Sequence, residues 1–131
     1  MKVVALDYGA ERTGVAVSDA TGTIARPLEV VRRARTPAGL ERIQALVGEN
    51  EAELVVVGMP LTLRGEHGSQ ARETEAFVRE LELALDVPVE TYDERFTTSL
   101  AAQAAGDLPE DARAAAHLLS SYLAWKSAQT T

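Results

Sequence analysis

Two short runs, Val3-Val4-Ala5-Leu6 and Leu54-Val55-Val56-Val57, are apolar at every position and rich in β-branched residues. A strand with one wet face alternates apolar and polar residues. An unbroken apolar run instead describes a strand covered on both faces, as in a parallel sheet with helices above and below. Residues between and after these runs supply the covers. Thr36-Pro37 reads as an N-cap with proline at the first helical position, and Leu40, Ile43, Leu46 and Val47 recur at helical spacing, which predicts a helix over 37–50. Ala71, Thr74, Phe77, Val78, Leu81 and Leu85 trace a second, amphipathic helix.

The remaining elements follow from local signals. Thr13–Ser18 reads as a strand, Asp19–Gly22 as a turn, and Ala25–Val31 as a further strand interrupted by Pro27. Pro88–Tyr92 is a short strand, Thr97-Thr98-Ser99 caps a helical piece through Ala105, and Gly106–Pro109 breaks it. A last helix runs from about Pro109 to Lys126 with Ala115, Leu118, Leu119 and Tyr122 on one stripe. The resulting order is β-β-β-α-β-α-β-α-α, an α/β fold with a five-stranded mixed sheet flanked by helices. At 131 residues the expectation is a single domain over 1–131.

Composition excludes several classes. Cysteine is absent, so neither a disulfide framework nor a thiolate site is available, and a reducing, cytoplasmic setting is expected. No run reaches about 18 apolar residues, so neither a signal peptide nor a membrane span is expected. A net charge of −7 argues against a general nucleic-acid coat protein, which binds through cationic side chains, but not against a nuclease. Of the 13 basic residues only Lys2 and Lys126 are lysine. Arginine suits bidentate phosphate contacts. The cluster Arg32, Arg33 and Arg35 is equally compatible with solubilising an acidic surface.

Carboxylates stand at the edges of apolar elements. In an open α/β sheet ligands gather beyond the carboxyl ends of the parallel strands. If the first, fourth and fifth strands are parallel, those ends carry Asp7, the Gly58–Leu61 turn and Asp93-Glu94. Asp111 lies four residues before Ala115 and seven before Leu118, on the inward stripe of the last helix. Carboxylates drawn together repel unless a proton or cation neutralises them, and hard oxygen ligands select Mg²⁺ or Mn²⁺. Such ions can assist hydrolysis of a phosphodiester. Each residue also has a structural reading: Asp7 as a turn former, Asp93 as a partner of Arg95 or a helix cap, Glu94 as a solvated side chain, and Asp111 as a complement to a helix dipole. Gly65 and Gly68 would let a loop approach phosphate or would serve only as a flexible connection. His67 reads as solvated, His117 as packed beside the last helix, and Trp125 as covering the core edge.

The run Asp7-Tyr8-Gly9-Ala10-Glu11-Arg12-Thr13-Gly14-Val15-Ala16 resembles the opening D-x-G-x-x-R-x-G-x-A motif of the YqgF (RuvX) family, a RuvC-like branch of the RNase H superfamily. Gly58-Met59-Pro60-Leu61 resembles its G-x-P-L loop, Asp93-Glu94-Arg95-Phe96-Thr97-Thr98 its D-E-R-x-T-T signature, and Asp111-Ala112-Arg113-Ala114-Ala115 its closing D-x-x-A-A helix. The resemblance covers essentially the whole chain. It implies an RNase H-like fold and a nuclease associated with 5′-end maturation of pre-16S rRNA, earlier proposed as a Holliday-junction resolvase. It further implies catalytic carboxylates at Asp7, Glu94 and Asp111, with Asp93 beside them in a set holding Mg²⁺ or Mn²⁺. Arg12 and Arg95 would face the substrate backbone, and Gly58, Arg64, Gly65, Gly68 and Thr97 would belong to the substrate-binding loops. Members of that family often carry Lys and Arg just before the last Asp, whereas Gly106-Asp107-Leu108-Pro109-Glu110 is acidic here.

The resulting expectation is a metal-dependent endonuclease acting on nucleic acid, with structured RNA favoured and branched DNA second, as a monomer or homodimer without a membrane partner. Two other classes stay open. The Asp-x-Gly opening also occurs in actin-like ATPases and sugar kinases, which require a second domain. A non-catalytic ribosome-maturation factor is the reading that the acidic 106–110 segment favours.

Overall fold

The computed structural model describes residues 1–60, 64, 67–94 and 110–129. Among the described residues, five strands and three helices follow in the order β1 (Val3–Asp7), β2 (Arg12–Ser18), β3 (Ala25–Arg32), α1 (Pro37–Glu49), β4 (Leu54–Met59), α2 (Ser69–Ala84), β5 (Val89–Asp93) and α3 (Glu110–Gln129). The expected helical piece at 97–105 and its break at 106–109 lie outside the described residues. Strand order across the sheet is β3-β2-β1-β4-β5. The first three strands form an antiparallel meander, while β1–β4 and β4–β5 pair in parallel. The expected parallel set is therefore the observed one.

Both faces of the central strands are covered, as the unbroken apolar runs require. Val4, Leu6, Val15, Val17, Val55 and Val57 pack under α1 and α2 against Ile43, Leu46, Phe77 and Leu81. Val3, Ala5, Ala16, Leu54 and Val56 face the other way, against Ala115, Leu118, Leu119 and Tyr122 of α3. Each fully buried Val, Leu or Phe contributes roughly 1.5–3 kcal/mol relative to exposure. The two layers hold the sheet from both sides.

Local chemistry sets the element ends. Thr36 caps α1 by accepting a hydrogen bond from Gly39 N at 3.2 Å, with Pro37 opening the helix. The Asp19 carboxylate accepts from Thr23 N at 2.8 Å and Ile24 N at 3.0 Å, closing the β2–β3 turn in which Gly22 takes φ +71°. Those bonds hold the Asp19 carboxyl well below its ordinary pKa. Pro27 sits on the sheet's edge strand, where the β2–β3 register shifts between Val15 and Ala16. A residue without an N–H is tolerated there because the ladder is already interrupted. Among the described residues no helix is long and apolar enough to cross a membrane.

Helix α3 approaches β2 by way of Gly14. A Cβ at that position would overlap the Asp111 carbonyl and stand 3.1 Å from Ala112 N. Gly14→Ala is therefore expected to push the first turn of α3 off the sheet and cost about 1–3 kcal/mol, as overpacking does. Urea unfolding of the two proteins measures it, and an unchanged midpoint would contradict the close approach.

Candidate active site

The parallel registers carry two carboxylates and a glycine to one end of the sheet. Leu6 lies beside Val57, Gly58 beside Tyr92 and Met59 beside Asp93. Asp7 ends β1, Gly58 is the penultimate residue of β4, and Glu94 directly follows β5. On the other side of β1, Asp7 is registered with Gly14, on which the first turn of α3 rests, so Asp111 arrives beside Asp7.

Glycine makes the carboxylate approach possible. A Cβ at Gly58 would collide with the Glu94 side chain, whose Cγ would lie 2.8 Å away. Glu94 thus lies flat over β4 and reaches Asp7, with which it shares a hydrogen bond. Both are half-buried. Burial first, then the bond to Asp7 and the charges of Asp7 and Asp93, push the Glu94 carboxyl up to about 8. Asp7 is also raised, chiefly by burial and further by the Asp111 charge, while the bond from Glu94 opposes the rise. Two carboxyls that share a hydrogen bond hold one proton between them, and the pair titrates as a unit.

Asp111 completes the group electrostatically but not by direct bonding. Its carboxylate stands 3.8 Å from the Arg12 guanidinium, in a pair whose side chains are 39% and 60% exposed. In the first turn of α3 it is the neighbour Ala112 that is fully buried, while Asp111 is half-buried at the rim of the inward stripe. Asp93 follows Tyr92, which packs against the α3 layer, and strand alternation sets Asp93 on the opposite face. It acts on Glu94 through its charge.

Among the described residues no three carboxyl or imidazole groups form a ready-made cation cage. The donor chemistry nevertheless fits a hard divalent ion. Two desolvated carboxyls bridged by one proton are two oxygen ligands awaiting a cation, and the third carboxylate lies near enough to influence Asp7. Arg64 is exposed in the β4–α2 loop, and Gly68 caps α2 without a side-chain bond. Gly65, Arg95 and Thr97 lie outside the described residues. A concavity of about 470 Å³ lined in part by Val3, Thr23, Leu54 and Lys126 opens at the opposite end of the strands and belongs to none of this.

Several supports were not singled out from sequence. The Tyr8 ring stacks on the buried Phe77 at 4.7 Å, and its hydroxyl bonds Arg35, which in turn pairs with Glu80 at 2.7 Å. The residue after Asp7 is thereby tied to α2. Thr13, fully buried, donates to Gly9 O at 3.5 Å across the β1–β2 turn. The motif positions of Thr13 and Gly14 were visible, but only the packing shows what each does. His67 is exposed, as expected, and pairs with Glu75.

This arrangement of sheet, helices and strand-end carboxyls is an RNase H-like fold. RuvC of Thermus thermophilus, solved in complex with a Holliday junction substrate, matches it with a TM-score of 0.59 at 21% identity, over 97% of this chain and 96% of that one. Residues 1–125 match the family described as RuvX, Holliday junction resolvase. A Roseiflexus sp. protein named "Putative pre-16S rRNA nuclease" is 41% identical over 116 residues, which is 86% of this chain and 82% of its own length. A Chloroflexus aggregans protein of the same name is 44% identical over 101 residues, 77% and 71% of the two chains. The chain belongs to the RuvX family.

The raised carboxyl has a thermodynamic signature. Glu94 moves from an ordinary 4.5 to about 8 on folding, so the folded state holds the proton more tightly than the unfolded one. Its contribution to stability is complete below the unfolded value and is lost as pH rises through the folded one. The thermal midpoint of the chelator-treated protein should fall between those limits. Glu94→Gln, a neutral mimic that keeps a donor toward Asp7, should flatten most of that fall. A parental midpoint that rises over the same interval would contradict the shared proton.

Proposed function

We propose that this chain is a divalent-cation-dependent endonuclease that cleaves a phosphodiester of structured RNA, in the 5′-end maturation of pre-16S rRNA. The observation that carries the reading is the Asp7–Glu94 carboxyl pair, buried over Gly58 and sharing one proton, with the Asp111 charge beside it. The names of the Roseiflexus and Chloroflexus relatives support RNA as the substrate.

Asp7 and Glu94 would hold Mg²⁺ or Mn²⁺ in place of their proton, and Asp111 would join them on release from Arg12. When bound, the cation supplies a polarised water and neutralises charge developing on the phosphate. Asp93 adds negative potential from the opposite face, which favours positive charge at the pair. Arg12 would then be free to hold a phosphate oxygen. Gly58 lets Glu94 lie against the strand, and the Arg64–Gly68 segment and Arg95 and Thr97 would flank the substrate.

The family description favours a second substrate, a branched DNA junction. Incubating the parent and Asp7→Asn with a labelled precursor 16S transcript and with a four-way DNA junction, each with Mg²⁺ or Mn²⁺, separates the readings. Cleavage of the transcript by the parent and a loss of at least about 100-fold in Asp7→Asn is expected, as when a group stabilising the transition state is removed. Preferential cutting of the junction would replace RNA by DNA. Binding without cleavage of either would favour a maturation factor that is not an enzyme.

A further inference from the structure

The arginines that follow the third strand separate once their partners are known. Arg33 takes φ +47° at the end of β3, and its side chain lies 3.8 Å from Glu11. Arg35 is bound to Glu80 at 2.7 Å. Arg32 has no carboxylate partner among the described residues, and it is exposed. In the antiparallel β2–β3 ladder it is registered directly opposite Arg12. Val31 packs under α1 and α2, so Arg32 projects from the other face. Ala16 packs under α3, and alternation puts Arg12 on that same face.

Two arginine side chains therefore leave directly paired positions on the face that carries Asp7, Glu94 and Asp111. Arg12 is two residues beyond Gly14, the register partner of Asp7, roughly 7 Å along the strand and past the end of β1. Like charges directly opposite on paired strands destabilise a sheet. Among the described residues the carboxylate paired with either arginine is Asp111, through a single 3.8 Å contact between exposed groups, which offsets little. In a chain of net charge −7 two arginines at the mouth of the site, matched by one carboxylate contact between exposed groups, call for an anion. Paired guanidiniums fit the oxygens of a phosphate diester through several parallel N–H donors.

We propose that Arg32 acts together with Arg12 as a clamp on one backbone phosphate of the bound nucleic-acid strand, beyond the carboxylates at the β2–β3 edge. This rests on the nuclease reading and adds to it a direction: the strand leaves the carboxylates across β2 toward β3. Arg32 is a positioning residue that holds the strand in register and takes no part in the chemistry.

Binding of a fluorescent stem–loop RNA and of a four-way DNA junction, followed by anisotropy between about 50 and about 200 mM salt, tests the clamp. Arg32→Gln is expected to weaken binding about tenfold at the lower salt and to reduce the salt slope by about 1. Arg32→Lys should restore most of the slope, because the charge returns. Arg26→Gln, at the other end of β3 opposite Val17, should leave the slope alone. Relief of the repulsion between Arg12 and Arg32 should leave the thermal midpoint of Arg32→Gln unchanged or raised, which a structural role would not do. Parental binding with an unaltered slope in Arg32→Gln would overturn the clamp and leave the nuclease reading standing. A parental protein that binds neither probe would overturn both.

Discussion

Charge and burial meet at the ends of β1, β4 and β5, and the rest of the site depends on how that conflict is resolved. Strands covered on both faces deliver their last residues to a place that is still partly desolvated, so Asp7 and Glu94 arrive there as carboxyls that are costly to ionise together. One proton resolves it. The solution needs close approach, and close approach needs missing side chains. Gly58 lets Glu94 lie on β4, and Gly14 lets the first turn of α3 settle beside Asp7.

Mutual neutralisation is the common theme of this end of the molecule. The Asp7–Glu94 pair sheds one negative charge by keeping a proton between its carboxyls, and Arg12 faces Asp111 at 3.8 Å. Both arrangements are replaceable, because a divalent cation could take the proton's place and an anion could take the arginine's. A nuclease of this reading needs both substitutions: a cation among the carboxyls and a phosphate among the arginines. At the opposite end of the strands a concavity of about 470 Å³ is lined in part by Val3, Leu54 and Leu123.

The outer frame keeps the pair in place. Tyr8, next to Asp7, is stacked on Phe77 and bonded to Arg35, which is tied to Glu80 on the same helix α2. On the far side of the sheet, Tyr92 and Tyr122 meet edge to face at 5.6 Å, and Tyr122 donates to Glu90 at 2.6 Å. That bond, after burial, raises the Tyr122 hydroxyl well above its ordinary pKa. Each layer thus locks one end of a parallel strand, which limits how far the carboxyls can drift apart.

Much of this could be read from residues alone, since the signals are local. Unbroken β-branched runs mark strands buried on both faces, Thr36-Pro37 marks a helix start, and Pro27 marks an interruption in a strand, because sterics and missing hydrogen bonds act within a few residues. The order of elements and the gathering of Asp7, Glu94 and Asp111 at one end follow from such signals and the rule for parallel strands. What remained hidden depends on partners far apart in the chain. Only the β4–β5 register puts Glu94 over Gly58 and turns Asp93 to the other face, and only the β2–β3 register sets Arg32 against Arg12. A one-residue slip in pairing reverses which face a side chain occupies, so the facing of each acid and each arginine was decided by tertiary packing.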